Sequence, residues 1–172
     1  MEEFDPMLTT QVSSLPANKG RVFEPLWHGE RVIAYRSLEQ MKLVSPDGGQ
    51  LRGKRIIPLI TRLPDSLGER AAVLDGVVIE TRAKKLAMVV FDILKIDDTS
   101  LVDEPWHERR AILDGVVQLQ PNILVSPYDK DGEAMQEAAR GLGFAGVVAK
   151  RTGSSYQPGD GGKDWVELRF PH

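Results

Sequence analysis

The sequence predicts an α+β fold whose sheets are largely antiparallel. Short runs rich in β-branched and aromatic residues arrive in adjacent pairs. Three stretches with apolar residues at helical spacing stand among them, and strict strand–helix alternation is missing.

The elements follow in order. Residues 1–20 carry Pro6, Pro16 and Gly20 and show no lasting period, so they read as an extended lead-in with Leu8, Val12 and Leu15 as anchors. Residues 21–27 and 31–36, separated by His28-Gly29-Glu30, read as strands paired with each other. A third strand over 39–45 is stopped by Pro46-Asp47-Gly48-Gly49. A short helix over 57–63 follows, with Pro58 tolerable because it falls in the first turn. The valine-rich runs 72–80 and 86–94 read as buried strands. Asp103-Glu104-Pro105 announces a helix over 106–113, with Gly115 expected as its C-cap. After a brief strand over 123–126, residues 132–142 place Ala134, Met135, Ala138, Ala139 and Leu142 on one helical face, and Gly143 stops them. Strands over 144–150 and 165–170 close the chain around a polar loop. Leu-Asp-Gly-Val-Val occurs at both 74–78 and 113–117, but the flanks differ and it reads as chance.

Composition narrows the function. With 172 residues, the chain supports one core, read as a single domain over 1–172. A net charge of −3 argues against a general electrostatic nucleic-acid binder, though not against a local basic groove. Cysteine is absent, which removes disulfides and thiolate metal sites. No apolar run reaches the length of a membrane span, and Met1-Glu2-Glu3 is no signal-peptide start, so a cytoplasmic location is expected. His28, His107 and His172 lack metal-ligand spacing, and there is no phosphate-cradling G-x-x-x-x-G-K-[ST] loop.

The order of short motifs says more. Glu24-Pro25-Leu26-Trp27-His28-Gly29-Glu30-Arg31 is followed by Leu74-Asp75-Gly76-Val77-Val78 and Phe91-Asp92-Ile93-Leu94. Then come Ala145-Gly146-Val147-Val148-Ala149-Lys150-Arg151 and Asp164-Trp165-Val166-Glu167-Leu168-Arg169. Together these blocks resemble the adenylation domain of ATP-dependent DNA ligases, especially the bacterial end-joining (ligase D) type, over about residues 4–170. The resemblance implies a ligase/capping-enzyme-type nucleotidyltransferase fold, ATP-grasp-like, with an ATP pocket between two sheets. It also implies bacterial, cytoplasmic and nucleoid-associated work in DNA repair. In that family a lysine of the first block attacks the α-phosphate of ATP, AMP passes to a DNA 5′-phosphate, and metal ions neutralise the phosphates.

The chain departs from that pattern where the chemistry lies. The family's Lys-x-Asp-Gly-x-Arg has Leu26 for the nucleophile and His28 for the aspartate. Val77 and Ala145 stand for the two metal-binding glutamates, Glu167 for the first lysine of Lys-x-Lys, and Pro46 for an arginine. Leucine has no nucleophilic atom, and Mg²⁺ needs oxygen ligands, so the expectation is a catalytically inactive pseudoenzyme without a metal site. Retained residues make Glu24, Trp27, Arg31, Phe91, Lys150 and Arg169 the candidates for nucleotide binding, with ATP or AMP as ligand. Lys150, Arg151, Lys163 and Arg169 are candidates for a phosphate-facing groove, although scattered charges are usually plain surface. Phe91 is equally explained by core packing, and Asp75-Gly76 reads as strand interior rather than turn. The expected partners are nucleotide, DNA ends or a DNA-repair protein. The resemblance places an OB-fold module after the fifth block, and the sequence as read contains none. Two alternatives stay open: an active nucleotidyltransferase using His28 or Lys42 as acceptor, and a purely structural interaction module.

Overall fold

Residues 2–171 are described by a computed structural model. Two sheets face each other. The first has the order β1 (Thr10–Gln11), β10 (Trp165–Arg169), β9 (Gly146–Arg151), β2 (Arg21–Leu26). The second has the order β4 (Met41–Val44), β3 (Glu30–Arg36), β5 (Ala72–Glu80), β6 (Leu86–Ile96), β7 (Thr99–Ser100), with β8 (Ile123–Val125) added alongside β6. The β1–β10 and β6–β8 pairs are parallel and the other pairs antiparallel, as the α+β reading requires.

Three apolar layers result. Helices α1 (Ile57–Leu67) and α2 (Trp106–Val116) cover the outer face of the second sheet, burying Leu59, Leu63 and Leu113 with Met88 and Val90. Helix α3 (Gly132–Leu142) covers the first sheet, where Met135 and Ala139 meet Phe23, Val147 and Ala149. Between the sheets Val22, Ile33, Val73, Leu94, Tyr156 and Trp165 form the middle layer. Helix α3 starts where Asp131 accepts from the amides of Glu133 (3.0 Å) and Ala134 (3.4 Å), and stops at Gly143 with φ 79°.

Several expectations are corrected. Strands β2 and β3 do not pair with each other; β2 joins β9, β3 joins β4 and β5, and His28-Gly29 is the corner where the chain changes sheets. Of the expected lead-in anchors, Val12 and Leu15 pack against the core under α3, but Leu8 is exposed and the fully buried anchor is Met7; residues 10–11 add a parallel strand beside β10. Helix α1 runs past Leu63, through Pro64, to Leu67. A proline inside a helix costs ~3 kcal/mol, here set against burial of Leu63 and Leu67 on either side. Gly115 lies inside α2, which is capped by Val117; the N-cap is Pro105 without a side-chain hydrogen bond, so the Asp103-Glu104 pair does not cap it. Asp75-Gly76 is strand interior, as expected.

Two motif glycines are fixed by contact. A Cβ on Gly146 would lie 1.9 Å from the Leu168 carbonyl oxygen, and one on Gly29 would lie 2.3 Å from that of Val78. Both positions join backbone to backbone with no room for a side chain.

Candidate functional site

Strand alternation builds one wall of a pocket between the sheets. On β2, Glu24 and Leu26 share a face; on β9, Val148 and Lys150; on β10, Trp165, Glu167 and Arg169. The register aligns them in rows: Glu24–Val148–Glu167 and Leu26–Gly146–Arg169, with Lys150 opposite Trp165. Sheet two supplies the facing wall with Arg31, Val77 and Phe91, and the corner adds Trp27 and Gly29. The half-open pocket has a volume of about 220 Å³, room for a base-sized group.

Phe91 reaches this wall through a β-bulge. Asp75 pairs with Asp92 and Gly76 with Val90, leaving Phe91 as the extra residue between them. A bulge re-aims a side chain, and here it presents the Phe91 ring beside Arg31 (5.0 Å to the ring centre) and Lys150 (4.4 Å).

Each cation of the pocket already has a carboxylate. Arg31 holds Asp75 through two hydrogen bonds of 2.7 and 2.6 Å and donates a third to the Met7 carbonyl at 2.8 Å. Lys150 Nζ lies 2.7 Å from Glu24 Oε2, both side chains buried, and 4.1 Å from the Trp165 ring centre. Arg169 Nε lies 2.6 Å from Glu167 Oε2, and Thr9 donates its hydroxyl to the other oxygen of Glu167.

Asp75 also accepts from the Tyr156 hydroxyl at 2.5 Å, and Tyr156 in turn accepts from the Met7 amide at 2.8 Å. Burial would lower the Arg31 guanidinium, but the Asp75 charge and its hydrogen bonds outweigh this and hold it above its ordinary range. Burial, then Asp75, pushes the Tyr156 phenol well above its usual value. Stability is thereby tied to alkaline pH. The unfolded phenol ionises near pH ~10 while the folded one keeps its proton, so the native state binds more protons above that pH and stability falls as pH rises. In denaturant melts at increasing pH, Tyr156→Phe is expected to flatten the alkaline loss, leaving the smaller part due to Tyr35, whose phenol is also raised by burial. An unchanged slope would remove Tyr156 from this role.

The residues singled out by sequence divide clearly. Glu24, Leu26, Trp27, Arg31, Val77, Phe91, Lys150, Glu167 and Arg169 all line the pocket. Ala145 does not, but its amide donates to the Leu26 carbonyl at 3.3 Å. His28 is exposed at the corner and outside the lining, because β2 ends at Leu26 and alternation no longer carries residue 28 to the same side. Lys42 lies elsewhere, 3.4 Å from Glu3, and Pro46 sits in a separate surface groove. Arg151 belongs to another groove, and Lys163 is exposed and lines none of these. Sequence reading missed Thr9, brought in by the lead-in strand, and the role of Val148; β1 is too short to leave a periodic signal.

The resemblance implies Mg²⁺ and ATP, and the donors present can be weighed against both. Among the described residues no three His, Asp or Glu side chains converge on a point that would hold a metal ion. Glu24 and Glu167 are engaged with cations, so the donor set does not suit an octahedral Mg²⁺. Toward ATP, Phe91 and Val148 from opposite sheets give the pocket apolar walls, with Arg31 and Lys150 lying against the Phe91 ring.

Comparison with known proteins agrees with this geometry. The family model described as ATP dependent DNA ligase domain matches residues 65–169. The multifunctional non-homologous end joining protein LigD of Mycolicibacterium smegmatis is 31% identical over 183 residues, covering 96% of this chain and 24% of the relative. A DNA ligase of Thermococcus fumicolans is 37% identical over 89 residues, covering 49% of this chain and 16% of its own length. The chain therefore spans about a quarter or less of these relatives. Among solved structures, the ligase domain of M. tuberculosis LigD superimposes with a TM-score of 0.82 at 24% identity, covering 96% of this chain and 59% of that one. Mycobacterial DNA ligase D complexed with ATP and MES gives 0.83 at 24% identity, covering 98% and 61%. No helix among the described residues is long and apolar enough to cross a membrane. By fold, by motif order and by sequence match, the chain belongs to the ATP-dependent DNA ligase domain family, as an adenylation domain of the ligase D kind.

Proposed function

We propose that this is a ligase-like adenylation domain that no longer forms a covalent AMP adduct and acts by binding, with the adenosine part of a nucleotide as the ligand of the inter-sheet pocket. One observation carries the reading: Leu26 lines the pocket at the position of the family's nucleophile, and each cation beside it is paired within the protein. Leucine offers no lone pair for attack on phosphorus. Pairing of Arg31, Lys150 and Arg169 leaves no spare positive charge for a triphosphate, while the Phe91 ring and the walls of Val148 and Val77 suit a base. In this reading Glu24, Trp27, Arg31, Phe91, Lys150 and Arg169 are nucleotide-pocket residues, within a DNA-repair setting and a cytoplasmic one. His28 and Lys42 are not acceptors, since neither reaches the pocket.

The test has two parts. Labelled ATP with divalent metal is expected to leave no label on denatured, washed protein. Calorimetry is expected to show ATP binding no tighter than AMP, and Phe91→Ala to abolish both. Covalent label would overturn the loss of catalysis; ATP binding tenfold tighter than AMP would overturn the charge argument. Failure of ATP and AMP alike to bind would leave a structural interaction module as the better reading.

A further inference from the structure

The indole of Trp27 is held from outside the pocket that it lines. The β2–β9 ladder ends at the Leu26–Gly146 pair, so Trp27 lies one residue past the last register partner, at the corner where the chain leaves the first sheet. Its half-buried ring meets two partners. The Phe144 ring stands edge-on at 4.8 Å, and Trp27 Nε1 donates to Ser126 Oγ at 3.0 Å. An edge-to-face contact tolerates sliding of the ring, whereas a hydrogen bond requires the N–H to point at its acceptor.

Ser126 is a fixed point. It is fully buried and follows the last residue of β8. Its amide donates to the Val90 carbonyl at 2.8 Å, next to the Val90–Val125 pair that ends the β6–β8 ladder. Its carbonyl accepts from Arg110 Nη2 at 2.5 Å, and Arg110 is tied in turn to Asp114 at 3.0 Å on the same helix. The hydroxyl is therefore placed by β6 and α2. Its own proton has the Pro127 carbonyl at 3.5 Å, a long bond, so Trp27 is its closer partner.

The bond also joins the two sides of the pocket. Trp27 follows a strand of the first sheet, while Ser126 is anchored on the second, at the residue beside the bulged Phe91. The Trp27 and Phe91 walls are thus both referred to one stretch of β6.

We propose that Ser126 is a positioning residue for the inter-sheet pocket: its hydroxyl sets the Trp27 indole and with it the width of the gap open to a ligand's ring. Ser126 is not among the lining residues and acts through Trp27. For its effect on a ligand, the inference rests on the nucleotide reading of that pocket.

Fluorine NMR of the full chain carrying 5-fluorotryptophan tests the anchoring without ligand. Trp27→Phe assigns the Trp27 resonance among the three tryptophans. Ser126→Ala is expected to shift and broaden that resonance while those of Trp106 and Trp165 stay in place, because the Ser126 carbonyl that holds Arg110 is kept. Ser126→Thr, which keeps the hydroxyl, should return it. In calorimetry Ser126→Ala should weaken AMP binding about fivefold, the worth of one hydrogen bond. Trp27→Phe, which loses the N–H and keeps a ring, should weaken it similarly, and adding Ser126→Ala to Trp27→Phe should weaken it no further. An unmoved Trp27 resonance in Ser126→Ala, or fully additive losses in the double variant, would overturn the proposal. Failure of the unaltered chain to bind AMP would instead overturn the nucleotide reading, and the resonance would still decide whether Ser126 holds Trp27.

Discussion

Asp92→Ala is expected to lower the free energy of unfolding by about 3–5 kcal/mol, the range seen when one partner of a buried ion pair is removed. Arg109 is fully buried and donates to both Asp92 oxygens, at 2.8 and 2.9 Å; its remaining bonds go to the carbonyls of Glu104 (2.6 Å) and Ser154 (2.9 Å). Without Asp92 its charge stays in the core with carbonyl dipoles alone. The reverse truncation, Arg109→Ala, strands a carboxylate directly across the ladder from Asp75, another buried carboxylate. The paired change Asp92→Ala with Arg109→Met should recover much of the loss, since no bare charge remains. Urea denaturation monitored by tryptophan fluorescence measures all three. A loss under about 1 kcal/mol for Asp92→Ala would show that water reaches the pair.

The second large effect is a gain. Leu26→Lys combined with His28→Asp, Val77→Glu, Ala145→Glu and Glu167→Lys is expected to retain labelled AMP covalently in the presence of ATP and Mg²⁺. Leu26→Lys alone is not. The single change sets an ammonium in the row that ends at Arg169 and on the face that holds Lys150, with no free carboxylate to balance it. The added glutamates supply oxygen ligands, one at a lining position and one beside the Leu26 backbone. An adduct from Leu26→Lys by itself would contradict the view that the cation site was lost together with the amine.

Much of this was readable from the chain. Strong periodicity and clear turn chemistry marked out the three helices and the long strands, and motif order brought nine lining residues together before any coordinates. What could not be read was long-range. Nothing local in 21–36 says that two strands joined by three residues belong to different sheets; the crossing is set by Gly29 seated on the Val78 carbonyl. The bulge at Phe91 is invisible in an unbroken apolar run, because periodicity reports alternation and not partner register. The lead-in looked unstructured because its contacts are to residues distant in sequence, such as Met7 with Arg31 and Tyr156 and Thr9 with Glu167.

The glycines pressed against opposing carbonyls have a consequence for kinship. Gly29, Gly76 and Gly146 are each held by backbone 1.9–2.3 Å from where a methyl would go, so steric necessity alone preserves them whatever becomes of turnover. Likeness at those positions certifies ancestry of shape. Reactivity has to be judged from the polar neighbours, position by position.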